Sequence, residues 1–492
     1  MAKSTLSKKT TSKENTLDNF QHFLSMADEE VKVIAGDTRL IITLENRIKI
    51  PKVAVIPELW QWIQTQLTIA NSQYLMLQRL GKSTWKTPPE FILYQYDSQY
   101  YYLPRGFLGE LLKYCQHLGL EFELIDNRIK HPDIEYTSNI ELRKYQSDSL
   151  ERIAKYHFGV IVAPPGSGKT VMGLELVARC KQPTLILVHR KELLDQWVER
   201  AVSFLGIDKK DIGIVGSGKK KWGQKLTVAT IQTLYTMLDE LPEISKQFGL
   251  VIVDECHHIP ANTFGQVIEL FNPFYMYGLT ATPQRKNNDE KMIFTKVGQI
   301  IITINPFADE HYGGSRPKPR IHIKETTLHI PFDYTQDTFE LLNKVVICDT
   351  TRNQMIVKDI LKEVKNGKKI LVLTERKDHV ELLNLYLRDF CDIIPLTGDD
   401  NKTLRNKKLA QVRSDDFDVL IATGQLMGEG VDISNLDCLF LVYPFSFEGK
   451  LIQYIGRIQR TKNEQVIYDY RDVNIPFLEK QFKKRYAYYS EL

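Results

Sequence analysis

The sequence has no long hydrophobic run and no closely spaced cysteines, and its charge is almost balanced. No apolar stretch approaches the roughly 18 residues that a membrane span needs. The 6 cysteines lie far apart without a C-x-x-C pair, which argues against a zinc or disulfide framework and indicates a reducing compartment. A net charge of +4 is too small to predict a nucleic-acid ligand by itself, although it permits one.

The N-terminus also lacks the apolar region of a secretory signal, and no internal repeat of fixed period is present. Residues 1–15 are rich in Lys, Ser and Thr and predict a disordered tail. We therefore expect a soluble protein of the cytoplasm, or of the nucleus in a eukaryotic host. The cysteines are expected to be core residues.

Its 492 residues allow three or four domains. Residues 16–130 mix alternating and helical apolar patterns and predict a small α+β domain. The polar stretch 127–139, with Pro132 inside it, is interpreted as a linker. Residues 139–304 and 330–475 each alternate short buried strands with amphipathic helices, which predicts two α/β lobes with parallel sheets. Residues 476–492 are expected to be a C-terminal tail.

Each lobe shows five strand-like runs. They are residues 160–163, 184–188, 226–229, 250–253 and 277–279 in the first lobe, and 369–374, 393–396, 419–422, 439–442 and 465–469 in the second. Ligands of open parallel sheets bind beyond the carboxyl ends of the strands, so residues that follow these runs are candidate site residues.

A strand, a glycine-rich loop and an apolar helix follow one another after Val160. The loop consists of Pro164, Pro165, Gly166, Ser167, Gly168, Lys169 and Thr170. Glycines let backbone N–H groups close on phosphate oxygens, Lys169 can reach the terminal phosphates, and the Thr170 hydroxyl can hold Mg²⁺. Ala163 stands where the pattern's first glycine would be. The pattern predicts an ATP site formed by residues 165–170.

Two carboxylates, Asp254 and Glu255, follow the next-to-last strand of the first lobe. In a protein with a phosphate loop they suit Mg²⁺ binding by Asp254 and polarisation of the attacking water by Glu255. The alternative is a solvated acidic turn. The Cys-His-His run at 256–258 does not predict zinc, because three adjacent residues rarely converge on one ion.

A second glycine-rich stretch, Gly216 to Lys219, is followed by Lys220, Lys221 and Trp222 and lacks a preceding strand of the right kind. It is interpreted as a basic surface loop that contacts phosphate at most.

Together these motifs resemble those of superfamily 2 helicases, particularly the branch that contains XPB and the phage helicase UvsW. The resemblance covers about Ile140 to Asp469 and implies two RecA-like lobes. Leu142 to Gln146 resembles the adenine-recognition motif, which implies that Arg143 and Gln146 lie near the nucleotide.

Further segments of the first lobe resemble nucleic-acid motifs. Residues 188–197 and 229–233 are similar to segments that touch the nucleic-acid backbone, which implies contacts by Arg190 and Thr230 without sequence readout. Much of 193–197 is expected to be helix core. The T-A-T-P string at 280–283 resembles the motif that couples ATP state to strand engagement, with Thr282 at the nucleic acid.

In the second lobe, residues 422–432 resemble the motif that links nucleic acid to nucleotide. It implies a nucleic-acid contact by Thr423 and nucleotide contacts by Gly430 and Asp432. Residues 453–460 match the family's Q-x-x-G-R-x-x-R, whose polar positions share one helix face. The residues implied to act in catalysis are Gln453, Arg457 and Arg460, the two arginines as arginine fingers.

The N-terminal domain resembles the small domain that precedes the motor in UvsW-type proteins, through Leu103 to Leu108 and Glu121 to Asp126. The resemblance implies DNA docking. Tyrosines at 94–102 could stack on bases, although strand core and surface packing are the better interpretation.

The resemblance implies an Mg²⁺-dependent ATPase that moves 3′ to 5′ along duplex, single-stranded or branched DNA, as in repair or recombination. Three alternatives remain open. They are an RNA helicase, an ATP-gated DNA clamp that recruits transcription or repair factors without processive movement, and the motor of a defence or restriction system whose nuclease is another chain. Protein partners from a repair, transcription, phage or defence system are expected.

Overall fold

The computed structural model describes residues 39–164, 166–256, 261–281, 290–304, 318–332, 337–424, 426, 435–446, 448–458 and 464–490. As far as it is described, the chain forms two compact units. Residues up to 162 together with 170–304 make one unit, and residues 163–169 together with those from 305 onward make the other.

The described strands are β1 Leu40–Leu44, β2 Arg47–Pro51, β3 Thr68–Ala70, β4 Glu90–Ile92, β5 Gln95–Tyr96, β6 Tyr100–Pro104, β7 Phe122–Asp126, β8 Phe158–Val162, β9 Thr184–Val188, β10 Gly213–Gly216, β11 Lys219–Lys221, β12 Leu226–Thr230, β13 Leu250–Asp254, β14 Tyr275–Thr280, β15 Ile300–Thr303, β16 Arg320–Glu325, β17 Ile370–Thr374, β18 Ile393–Leu396, β19 Val419–Thr423, β20 Cys438–Leu441 and β21 Val466–Arg471.

The described α-helices are α1 Pro57–Leu67, α2 Ser72–Arg79, α3 Leu108–His117, α4 Lys144–Ile153, α5 Lys169–Cys180, α6 Lys191–Leu205, α7 Ile231–Tyr235, α8 Leu241–Ser245, α9 Ala261–Ile268, α10 Glu290–Val297, α11 Phe339–Cys348, α12 Thr350–Lys365, α13 Lys377–Leu387, α14 Lys402–Arg413, α15 Glu448–Ile458 and α16 Pro476–Tyr489.

The N-terminal domain is a five-stranded sheet in the order β5-β6-β2-β1-β7, covered on one face by α1 and α3. Alternate residues of β1 and β2 are fully buried, as the period of a half-buried strand requires. Among the tyrosines of 94–102, Tyr101 stacks on Trp60 at 3.7 Å and Tyr94 meets the same ring edge-on. These two tyrosines are therefore packing residues, whereas Tyr96 is exposed.

One continuous hydrophobic core joins this domain to the first lobe. At the junction, the buried Arg105 guanidinium donates to the Pro273 carbonyl from both terminal nitrogens, at 3.2 Å each. Gly106 sits so close to α10 that a Cβ there would lie 2.3 Å from the Phe294 carbonyl oxygen. The Arg-Gly pair of the UvsW-like string thus attaches the domain to the first lobe.

Residues 127–139, which contain Pro132, were expected to link two domains and instead run along the surface of the first lobe. The Ile134 N–H donates to the Lys181 carbonyl and the Asn139 N–H to the Phe204 carbonyl, both at 2.8 Å. The Tyr136 hydroxyl donates to the Gln182 carbonyl at 2.9 Å. Individual backbone hydrogen bonds and the Tyr136 hydroxyl hold this segment in place despite its polar composition.

The first lobe contains an eight-stranded sheet in the order β11-β10-β12-β9-β13-β14-β8-β15. All neighbouring pairs are parallel except β10 with β11. The strands β8, β9, β12, β13 and β14 are completely buried or nearly so, because helices cover both faces of such a sheet. The five strands predicted for this lobe are confirmed, and β10, β11 and β15 add to them.

The second lobe contains a six-stranded, all-parallel sheet in the order β16-β21-β20-β17-β19-β18. Its five predicted strands are confirmed, and β16 adds an edge. The expectation of a C-terminal tail is wrong up to Tyr489, because α16 packs on β21. Arg485 of α16 makes a buried ion pair with Asp469 at 2.8 Å, and the Tyr489 hydroxyl donates to the same carboxylate.

The cysteines form no disulfide, and burial raises the pKa of the Cys115 thiol to about 11. Cys115, Cys256 and Cys438 are buried, as expected of core residues, but the expectation is wrong for the exposed Cys348. None of the described helices has the length and apolar character needed to cross a membrane.

Candidate ATP and nucleic-acid site

The carboxyl ends of the parallel strands bring most of the predicted first-lobe residues to one edge of the sheet. Strand register pairs Thr230 with Val188, Val253 with Leu187, Asp254 with Leu279, and Thr280 with Val162. The phosphate loop follows Val162 directly, and Arg190 follows Val188 by two residues. This edge is where open parallel sheets bind their ligands.

The phosphate loop has the backbone that its glycines predict. Gly166 has φ +75° and Gly168 has φ +86°, values in the left-handed region that side chains disfavour. Between them, Ser167 is completely buried, and its hydroxyl donates to the Pro164 carbonyl at 2.6 Å. The loop ends where α5 begins at Lys169, so the positive end of a helix faces the position predicted for phosphate.

Lys169 lies at the first position of α5, and Thr170 follows it. The ammonium of Lys169 donates to the Ala163 carbonyl at 3.3 Å, so its side chain curls back over the loop. Ala163 is fully buried, and a small residue therefore suffices where the pattern has its first glycine.

The two acidic residues differ in conformation as well as in position. Asp254 ends β13 and is 4% exposed, while Glu255 leaves the strand with φ +46°. A left-handed conformation costs roughly 1–2 kcal/mol for a residue with a side chain. Such strain is concentrated at functional sites.

Both carboxylate oxygens of Asp254 accept hydrogen bonds. The indole Nε1 of Trp197 donates to Oδ2 at 2.7 Å, and the backbone N–H of Glu255 donates to Oδ1 at 3.0 Å. Sequence reasoning assigned Trp197 to helix core, and it is indeed buried. Its contact with Asp254 was missed because 57 residues separate the two in sequence.

The adenine-recognition residues lie at the start of α4. Arg143 is exposed at the N-cap, and the Gln146 side-chain carbonyl accepts the Arg143 backbone N–H at 2.9 Å. Gln146 thus closes the first turn of its helix and is buried against it. The predicted nucleotide contacts of both residues stay predictions.

The two predicted nucleic-acid segments of the first lobe contact each other. The Gln232 side-chain amide donates to the His189 carbonyl at 2.9 Å, beside Arg190 at the N-cap of α6. Thr230 is 7% exposed, and its hydroxyl bonds that of Thr233 at 2.8 Å. The phosphate contact of Thr230 stays a prediction.

The basic stretch after Gly216 is a hairpin. Gly216 pairs with Lys219 across a two-residue turn in which Ser217 and Gly218 have φ +53° and +80°. Positive φ at both central residues is the mark of a type I′ turn. The stretch is therefore no second phosphate loop, and its exposed lysines lie on the edge strand β11.

In the second lobe, β17 and β19 end side by side, with Thr374 paired to Thr423. The carboxylate of Glu375 accepts the Tyr454 hydroxyl at 2.8 Å and the Lys450 ammonium at 2.7 Å. Both donors lie on α15, the helix that carries the predicted catalytic residues. Glu375 was missed, although its place directly after a parallel strand was a usable signal.

Several predicted residues lie outside the described residues. They are Pro165, Thr282, Gly430, Asp432 and Arg460. Gln453 and Arg457 lie in α15, and the structure describes only the backbone of these two residues.

The donor set suits ATP with Mg²⁺. Mg²⁺ prefers oxygen ligands, which here would be the Thr170 hydroxyl and the Asp254 carboxylate. The glycine conformations of the loop leave the backbone open to close approach of phosphate. Among the described residues, no group of three or more His, Cys, Asp and Glu side chains forms another metal site.

Two family models match the chain and together cover about half of it. Residues 139–285 match the type III restriction enzyme res subunit (ResIII), and residues 352–462 match the helicase conserved C-terminal domain.

Among curated proteins, the chain is similar to the DNA 3′-5′ translocase XPB2 of Sulfurisphaera tokodaii. The two are 26% identical over 67% of this chain and 80% of the relative. A putative ATP-dependent RNA helicase of Acanthamoeba polyphaga mimivirus is 26% identical over 74% of this chain and 73% of the relative. Among solved structures, T4 UvsW aligns over 92% of this chain and 97% of its own at 18% identity, with a TM-score of 0.43.

A phosphate loop followed by two strand-end carboxylates on a parallel sheet defines a P-loop nucleoside triphosphatase. The family models narrow the class to helicases, since the chain carries a ResIII domain and a helicase C-terminal domain and is similar to an XPB-type translocase. The two matched domains fall on the two parallel-sheet lobes, in agreement with the RecA-like lobes that the resemblance implied, and helicase domains of this kind imply the use of ATP.

Proposed function

We propose that this protein is an ATP-dependent DNA helicase or translocase that couples hydrolysis to movement along DNA or to strand separation. The observation that carries the proposal is the common sheet edge of the phosphate loop, Asp254 with Glu255, and the Arg190 segment. A nucleotide at this edge would share a rigid sheet with the predicted nucleic-acid contacts.

In the proposed mechanism, the loop from Gly166 to Thr170 binds the phosphates through backbone N–H groups. Lys169 stabilises negative charge that develops on the terminal phosphates. Glu255 orients the attacking water and accepts its proton. Thr170 and Asp254 would hold Mg²⁺, which supplies charge neutralisation when bound.

Arg457 and Arg460 are proposed to stabilise the transferred γ-phosphate, a contribution worth roughly 10³ to 10⁵ in rate where arginine fingers have been removed. Arg143 and Gln146 are proposed to recognise the base, and Gly430 and Asp432 to contact the nucleotide. Arg190, Thr230, Thr282 and Thr423 are proposed to contact the nucleic-acid backbone.

DNA is the proposed track because the similar Sulfurisphaera protein is named a DNA 3′-5′ translocase. The same name supports the 3′ to 5′ direction. The RNA alternative has its own support, since the similar mimivirus protein is named a putative RNA helicase. Partners in repair or transcription, and a cytoplasmic or nuclear location, are likewise inferred from the family.

ATPase assays with duplex DNA, single-stranded DNA and RNA, at equal nucleotide concentration, test the track. We expect either form of DNA to raise the rate more than RNA does. Stimulation by RNA alone would replace the DNA proposal with the RNA alternative. A triplex-displacement assay then separates movement from an ATP-gated clamp, because only a translocating protein strips the third strand.

A further inference from the structure

Trp197 donates a side-chain hydrogen bond to the predicted Mg²⁺ ligand. Its indole nitrogen lies 2.7 Å from Asp254 Oδ2, and the two side chains are almost fully buried, at 1% and 4% exposure. A buried indole N–H requires an acceptor, and a buried carboxylate requires donors. Each group therefore fixes the rotamer of the other.

The indole is also held from the opposite side. It packs against Gly173, in the second turn of the helix that follows the phosphate loop, where a Cβ would lie 2.6 Å from the ring carbon Cη2 of Trp197. The absence of a side chain at Gly173 thus makes room for the ring. The phosphate-loop helix α5 and the end of β13 set the position of the ring together.

Trp197 lies in α6, whose N-cap residue is Arg190. Seven residues, or about 10 Å of helix, separate the two positions. The segment before the helix is tied to the neighbouring nucleic-acid segment by Gln232, which donates to the His189 carbonyl. A shift of the Arg190 end along the helix axis would therefore move the indole relative to Asp254.

We propose that Trp197 is a positioning residue that orients the Asp254 carboxylate for Mg²⁺ and transmits nucleic-acid binding at Arg190 to the ATP site through α6. This inference rests on the proposed function. In it, α6 is the route by which bound nucleic acid regulates the ATPase activity of the protein. A residue that only filled the core would need the ring but not the N–H.

Trp197→Phe is the direct test, because it keeps an aromatic ring and removes the donor. The measurement is the affinity for a fluorescent, non-hydrolysable ATP analogue, titrated with Mg²⁺ and repeated with excess chelator. Loss of an outer hydrogen bond to a metal ligand typically lowers metal affinity by about 10- to 100-fold. We expect the Mg²⁺ concentration that gives half of the increase in analogue affinity to rise about tenfold. The affinity for the analogue in excess chelator should not change.

Trp222→Phe is the matched control, because it is the same substitution in the same lobe. The Trp222 ring packs against Phe248 and not against the predicted Mg²⁺ ligand. It should leave the Mg²⁺ titration unchanged. An unchanged titration in folded Trp197→Phe would overturn the positioning role. If Trp197→Phe does not fold, Gly173→Ala provides the test, because its methyl group must displace the indole. The Mg²⁺ concentration at half-effect should rise in this variant as well.

The route through α6 has its own readout, the factor by which DNA raises the ATPase rate at saturating Mg²⁺. Arg190→Ala and Trp197→Phe should each lower that factor, and the double variant should lower it no further than the stronger single variant. Additive losses would overturn the route. A parent protein that binds no nucleotide would contradict the proposed function, which is a separate result.

Discussion

The Tyr454 hydroxyl donates a hydrogen bond to Glu375 at 2.8 Å, joining helix α15 to the end of strand β17. Gly424 completes the contact, since a Cβ there would lie 1.8 Å from the Tyr454 hydroxyl oxygen. Burial and the neighbouring carboxylate raise the pKa of Tyr454 well above its usual value, so the hydroxyl remains a donor at any working pH. The helix with the predicted arginine fingers is thereby fixed to the start of the Thr423 segment.

Tyr454→Phe removes this hydrogen bond and should slow ATP hydrolysis about tenfold while ATP affinity changes little. A hydrogen bond to a charged group contributes about 1.5–3 kcal/mol, enough for a rate change of this size. Steady-state kinetics with saturating DNA provide the test. Tyr486→Phe, at an exposed site, is the control. Equal hydrolysis rates for the two variants would show that the hydrogen bond between Tyr454 and Glu375 does not contribute to ATP hydrolysis.

Glu255→Gln should retain ATP binding and lose turnover, because Asp254 still holds the metal while the base that orients water is gone. Equilibrium nucleotide binding and single-turnover hydrolysis separate the two effects. Glu243→Gln, an exposed site on α8, should behave as the parent does. A collapse of nucleotide affinity in Glu255→Gln would reverse the roles assigned to the two carboxylates.

Arg460→Ala should impair ATP hydrolysis, whereas Arg190→Ala should impair DNA binding. The first should bind ATP nearly normally and hydrolyse it slowly, with DNA affinity unchanged. The second should flatten the log-log salt dependence of DNA binding by about 0.7 to 0.9, because it removes one positive charge that neutralises a phosphate. An altered salt slope with normal turnover in Arg460→Ala would reassign Arg460 to the DNA track.

Gly106→Ala should destabilise the first compact unit, because its Cβ has no room between the N-terminal domain and α10. Overpacking of this kind costs about 1–3 kcal/mol. Thermal unfolding is the measurement, with Gly398→Ala as control, since a Cβ there makes only an ordinary contact with Lys377. Equal unfolding temperatures for the two variants would show that the domain is not attached through this contact.

Much of the fold and of the ATP site could be predicted because its signals are local. Buried strands appear in the sequence as short apolar runs. Residues that directly follow such runs, such as Asp254, can be recognised as candidate site residues from their position. The phosphate loop is a continuous string whose glycines are required by backbone conformation. The lysine hairpin after Gly216 was distinguished from a phosphate loop by the lysines and the tryptophan that follow it, although the expectation that no suitable strand precedes it was wrong, since β10 ends at Gly216.

Contacts between distant residues could not be predicted in this way. Trp197 with Asp254, and Glu375 with Tyr454, are separated by 57 and 79 residues, and no periodicity marks such pairs. The predictions for segment 127–139 and helix α16 were wrong for a related reason. Their polar composition predicts exposure, whereas backbone hydrogen bonds and a buried Arg485–Asp469 ion pair hold them on their lobes.

The most direct test of the central claim is triplex displacement from duplex DNA by the parent protein and by Lys169→Ala, with ATP and Mg²⁺. Lys169 stabilises charge on the phosphates, and loss of one such donor typically costs about 10² to 10³ in rate. We predict that the parent displaces the third strand only with hydrolysable ATP and that Lys169→Ala displaces none. Displacement by Lys169→Ala at more than a tenth of the parent rate would contradict the ATP site, and DNA-stimulated hydrolysis without displacement would contradict the motor.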